Sequence, residues 1–134
     1  MNYWLVKSEP FKYSWDDFVK EEKSVWDGVR NYQARNNMKE MKKGDWVFFY
    51  HSNVGMEVIG LAEVKKEFFQ DPTTEDPRWV VVEIIPIKKF NKTVTLKMMK
   101  SDDRLSNLAL IKQSRLSVTP VGKQEFDIIL SLAE

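Results

Sequence analysis

The segment Trp26-Asp-Gly-Val-Arg-Asn-Tyr-Gln-Ala-Arg-Asn36 places an indole, three side-chain amides, a phenol, two guanidinium groups and a glycine close together. Aliphatic content is nearly absent, so core packing alone is a poor account of it. Amides read hydrogen-bonding edges and an indole offers a flat stacking face, which suits a pocket for a planar, polar heteroaromatic group. A nucleobase is the natural ligand. Within the cluster, Trp26 is the expected stacking wall, since a base on an aromatic ring gains ~1 to 3 kcal/mol. Asn31, Gln33 and Asn36, close to Arg30 and Arg35, fit selective hydrogen bonding to a base edge, since a correct bidentate pair discriminates by ~1 to 3 kcal/mol. Helix capping would also explain Asn31 alone.

Of the remaining tryptophans, Trp4, Trp15 and Trp46 sit in patterns that need apolar bulk. Trp79 follows the polar loop from Asp71 to Arg78 and could face the same cavity as Trp26, or belong to the core. His51 is the only histidine. It could act as an acid or base with Asp71 or Glu9 as partner, or make a structural hydrogen bond. A small enzyme acting on a nucleotide-like molecule is therefore the alternative function. It lacks visible support: no nucleophile-elbow pattern, glycine-rich oxyanion loop or phosphate loop occurs. With no cysteine and one histidine, a metal site is not expected, and neither is a cofactor.

The elements that must position these groups follow from periodicity. Tyr3 to Lys7 reads as a buried strand closed by Glu9-Pro10. Ser14 caps a helix reaching Glu22, with Asp16 and Asp17 in its first turn and Trp15, Phe18 and Val19 along one stripe. Asn31 caps a second helix through Met41, and Gly44-Asp45 turns the chain. Trp46 to Tyr50 is continuously apolar, as in a strand buried on both faces. Val58 to Phe69 and Trp79 to Phe90 read as long strands, with Gly60 a bulge or close-approach point and Pro86 an edge or bulge. Asn91-Lys92 is the expected turn after the latter. Short helices over Thr95 to Ser101 and Leu105 to Leu110, a strand from Arg115 to Val121 and an amphipathic helix from Gln124 to Leu132 complete the chain. This is an α+β pattern, with the strands forming a small curved barrel flanked by short helices.

The 134 residues favour one domain, 1–134. Formal net charge is only +1, which argues against holding nucleic acid by bulk electrostatics. Lys39, Lys42 and Lys43 with Lys88, Lys89 and Lys92 form either a basic rim or an ordinary solvated surface. No basic leader with a long apolar run opens the chain and no window approaches a membrane span, so a cytoplasmic monomer without membrane contact is expected.

Several ordered stretches carry a resemblance: Tyr3-Trp-Leu-Val-Lys-Ser-Glu-Pro10, the Trp26 to Asn36 segment, Met41-Lys-Lys-Gly-Asp45, Phe49-Tyr-His-Ser52, Gly60-Leu-Ala-Glu-Val64 and Arg115-Leu-Ser-Val-Thr-Pro-Val121. Together they resemble the EVE domains of the PUA-like superfamily, over nearly the whole length, and more distantly the YTH domains that read N6-methyladenosine in RNA. The resemblance implies a PUA-like, twisted β-barrel and recognition of a modified base. Modified cytosine in DNA is the family expectation, with N6-methyladenine or modified RNA as further partners. It also implies that Lys7 and Ser8 give a strand-end contact, Trp26 a cage wall and Asn31 a ring-edge bond. His51 and Ser52, and Arg115 and Ser117, match motifs expected to border the pocket.

Overall fold

The computed structural model describes every residue from Met1 to Glu134. Its strands are β1 (Tyr3–Ser8), β2 (Ser24–Val25), β3 (Trp46–His51), β4 (Glu57–Gln70), β5 (Val80–Thr95) and β6 (Val118–Val121), and its α-helices are α1 (Trp15–Glu21), α2 (Tyr32–Glu40), α3 (Leu96–Lys100), α4 (Ala109–Lys112) and α5 (Lys123–Leu132). The strands form one twisted sheet in the order β2-β5-β4-β3-β1-β6. Strand β1 runs parallel to β3, and the other pairings are antiparallel. The edge strands β2 and β6 do not pair with each other, so the barrel-like sheet stays open.

Alternation along the central strands builds a core on each face. Trp4, Val6, Val47 and Phe49 point into a cluster closed by Trp15 and Phe18 of α1 and Ala34 and Met38 of α2. Leu5, Phe48 and Tyr50 point the other way, into a cluster with Met99, Leu105 and Phe126. The unbroken apolar run in β3 is thus the signature of burial on both faces. Capping fixes the helices on the first face: Ser14 and Asp17 form a reciprocal capping box on α1, and Asn31 Oδ1 accepts from the Ala34 N–H at 2.9 Å to start α2.

Three elements depart from the sequence reading: in place of the helix expected over Leu105 to Leu110, the chain makes a 3₁₀ turn at Asp103–Leu105 and the short α4 further on. Asn91-Lys92 does not turn the chain, because β5 runs on to Thr95 and pairs it with Glu57 of β4. Strand β2, only Ser24–Val25, was not expected, being too short to show a period. It pairs with Ile84 and Glu83 of β5 and delivers Trp26 to the sheet edge.

Candidate functional site

A cavity of about 830 Å³ opens where the end of β1, the turn before α1, β2 and the loop after it, and Ser117 converge. Its volume falls within the ~300 to 1,000 Å³ range of small-ligand sites. Among the residues singled out from the sequence, Lys7, Ser8, Trp26, Arg30 and Ser117 line it.

Trp26 is core and wall at once. Its backbone N–H donates to the Val82 carbonyl at 2.8 Å, continuing the β2–β5 pairing. Its indole packs edge-on against Phe49 at 5.7 Å and Tyr13 at 6.1 Å, leaving it 9% exposed. Tyr13, which sequence reasoning missed, supplies a second aromatic group to the lining. Its hydroxyl donates to the Glu21 carboxylate, and burial followed by that acceptor raises the phenol's pKa well above its ordinary value, so it stays neutral. An aromatic residue in the polar turn between a strand and a helix cap was the available signal.

The loop after Trp26 is held by one carboxylate. Asp71 is fully buried and accepts from the Gly28 N–H at 3.0 Å and the Arg30 guanidinium at 2.9 Å, while Thr73 donates from its N–H at 2.8 Å and its hydroxyl at 2.6 Å. Burial alone would raise this carboxyl, but hydrogen bonds from Thr73, Arg30 and Gly28 outweigh it and bring the pKa to about 2. Gly28 adopts φ +76°, a conformation that costs glycine little, so the chain can turn its N–H toward Asp71. Asp27, beside it, presents an exposed carboxylate along the cavity.

Strand β1 contributes through its end. The Lys7 amine donates to the Ser114 carbonyl at 2.6 Å, and the Lys7 N–H donates to the Ser117 carbonyl at 3.0 Å. Burial lowers the Lys7 pKa. The Ser8 hydroxyl donates to the Tyr13 carbonyl, tying strand end to turn.

The other expected site residues lie elsewhere. Asn31 and Arg115 border a separate, shallower depression of about 410 Å³ with Gln33, Gln113, Ser114 and Leu116. The Asn31 oxygen is engaged as the α2 cap, and the residue is not among those lining the main cavity. Trp79 also stands outside: its ring lies 5.2 Å from Tyr32, with the Arg30 and Arg78 guanidinium groups 5.6 and 5.8 Å away. Stacking and cation–π attraction hold it there. His51 and Ser52 lie beside Ser8 without lining the cavity, the Ser52 N–H donating to the Ser8 carbonyl at 2.9 Å. His51 Nε2 accepts from the Trp15 N–H at 3.1 Å, a bond that needs the neutral ring. Burial lowers the His51 pKa, and the opposing charges of Glu57 and Asp16 only partly offset this. Neither proposed acid–base partner is free for His51. Asp71 is committed to the Gly28 loop, and Glu9 meets Lys12 at 3.3 Å and Asn53 at 2.8 Å.

Fold and site together define a small sheet domain with an aromatic-backed cavity at the end of its first strand. The chain belongs to the EVE domain family, whose model matches residues 2–132. Among curated relatives, thymocyte nuclear protein 1 of Mus musculus is 35% identical over 167 residues, covering 99% of this chain and 74% of that protein. The crystal structure of protein Atu2648 from Agrobacterium tumefaciens is 44% identical, with a TM-score of 0.96 over 99% of this chain and 93% of that one. The human THYN1 protein, solved in complex with 5-methylcytosine containing DNA, is 33% identical, with a TM-score of 0.93 over 100% and 98% of the two chains. The YTH domain of Zygosaccharomyces rouxii MRB1, at 15% identity and a TM-score of 0.61 over 98% and 86%, shares the fold. No helix is long and apolar enough to cross a membrane.

Proposed function

We propose that this chain is a single-domain, non-catalytic reader that takes a modified base, foremost 5-methylcytosine in DNA, into the cavity backed by Trp26 and Tyr13. The observation that carries this reading is a near-buried indole forming the wall of a polar cavity roomy enough for a nucleotide in an EVE domain. The human THYN1 complex with 5-methylcytosine containing DNA supports the ligand class. Lys7, Ser8, Arg30 and Ser117 belong to the site as cavity residues. Asn31, His51, Ser52, Trp79 and Arg115 surround it as capping, bracing and outer-surface groups.

Chemistry within the cavity suits cytosine. Asp27 offers a carboxylate, the acceptor that matches the N4 amino group of that base. A methyl group moved from water to the aromatic wall gains ~0.8 kcal/mol, so discrimination of roughly threefold to fourfold is expected from the methyl contact itself. A monomer working in the cytoplasm is part of the same reading.

The test is an anisotropy titration of single-stranded oligonucleotides carrying 5-methylcytosine, 5-hydroxymethylcytosine or N6-methyladenine beside unmodified controls. The 5-methylcytosine strand should bind tighter than its control, and Asp27→Asn should weaken binding to it. Trp26→Phe is the informative wall variant, because Trp26→Ala would also open a hole beside Phe49. Equal affinity for every modified strand and its control would remove the proposal.

A further inference from the structure

We infer that Phe11 is a wedge that enters a DNA duplex and fills the gap left when the modified base swings into the cavity. The inference rests on the base-reading proposal above and names the form of DNA on which the site works.

Phe11 is the most exposed large apolar side chain of the protein, at 87%. It projects from a turn that helps build the cavity: Glu9, Lys12 and Tyr13 all line it. The turn is braced at several points. The Glu9 carbonyl accepts from the N–H groups of both Lys12 and Tyr13 at 2.9 Å, the Ser8 hydroxyl bonds the Tyr13 carbonyl, and Asn53 holds the Glu9 carboxylate at 2.8 Å. Phe11 is therefore presented on a fixed rim. No folding role accounts for it, since its ring belongs to neither hydrophobic cluster.

A base reaching Trp26, itself 9% exposed, must leave its stack completely. In a duplex that extrusion costs stacking and pairing free energy and leaves a gap between the neighbouring pairs. An apolar ring beside the opening can occupy the gap and restore part of the lost stacking, as wedge residues of DNA-bending proteins do. Lys12, adjacent in sequence and also exposed, can exchange its surface pairing with Glu9 for the flanking phosphate. A single strand leaves no such gap, so there the ring has little to do. The two kinds of DNA should respond differently to loss of Phe11.

The experiment compares the parent chain, Phe11→Ala and Phe11→Trp on one 5-methylcytosine sequence, both single-stranded and as a duplex with 2-aminopurine next to the modified base. Phe11→Ala should bind the duplex at least about fivefold more weakly, the factor at the low end of aromatic–base stacking, and should lose the 2-aminopurine fluorescence rise that reports unstacking. Its affinity for the single strand should stay within about twofold, and Phe11→Trp should restore duplex binding. The exposed position makes unfolding of these variants no obstacle. Equal losses on both DNA forms, or unchanged duplex binding, would overturn the wedge. If the parent chain does not prefer the methylated single strand, the base-reading proposal falls first, in a measurement that Phe11 does not enter.

Discussion

Asp71 shows how one side chain sets the shape of the site without lining it. Its carboxylate gathers the Gly28 N–H, the Arg30 guanidinium and two groups of Thr73, and so determines how the loop leaves Trp26. Replacing it by asparagine removes the charge and turns one acceptor atom into a donor facing other donors. Asp71→Asn is therefore expected to cost roughly 2 to 4 kcal/mol of stability by urea unfolding, the range for orphaned buried donors and a broken ion pair. Binding should weaken as well, even where the variant remains folded, because Gly28 and Arg30 lose their common anchor. The pH dependence has a definite sign. A carboxyl lowered from 3.8 to about 2 stabilises the fold fully above its ordinary value and loses that contribution as pH falls through about 2. The parent chain should lose this stability across that acid window, whereas Asp71→Asn should show a flatter profile there. Equal acid profiles for the two proteins would mean that Asp71 is not the anchor.

At the scale of elements, the position of α1 depends on a strand residue with no side chain. A Cβ built on Gly60 would lie 2.7 Å from both the Trp15 ring and the Lys88 carbonyl, and the carbonyl is backbone that cannot swing away. Gly60→Ala should thus lower stability by about 1 to 3 kcal/mol, read as a fall in Tm, through overpacking between α1 and the sheet. A Tm unchanged within error would show that the sheet yields there. Gly60 was legible in advance as a close-approach point, because an isolated glycine weakens a strand and persists where a bulge or a neighbouring group leaves no room for a side chain. The caps Ser14 and Asn31 and the doubly buried β3 were legible for similar local reasons. Longer-range relations were not. Asn91-Lys92 carries turn chemistry, but pairing with β4 holds it extended. Asp71 sits in a polar loop with no period, and only the folded chain brings it to Gly28, 43 residues away in sequence. For the same reason Trp26 could be picked out by composition, while Tyr13, from another part of the chain, could not. Trp79 shares the composition but is held on the outer side by Tyr32 and two arginines.

For the molecule as a whole, charge limits how nucleic acid can be held. The net charge is +1, and the cations around the cavity are already engaged: Arg30 with Asp71 at 2.9 Å, Lys12 with Glu9 at 3.3 Å, Lys23 with Glu83 at 4.0 Å and Lys7 with the Ser114 carbonyl. Glu9, Glu21 and Asp27 add negative charge to the same lining. Little cationic surface remains for phosphates, so the pocket and the Phe11 rim must supply most of the affinity. Each neutralised phosphate contributes ~0.9 to the slope of log affinity against log salt, and two or three contacts correspond to a slope of roughly −2 to −3. Between 50 and 200 mM salt, duplex affinity should therefore fall roughly fifteenfold to sixtyfold. The free modified nucleoside carries no phosphate, and its weaker binding should hardly change over the same range. A slope for DNA steeper than about −6 would assign the affinity to a phosphate-binding surface away from the cavity. A slope near zero would mean that the chain engages the base alone, and the duplex would then be an incidental carrier of the ligand.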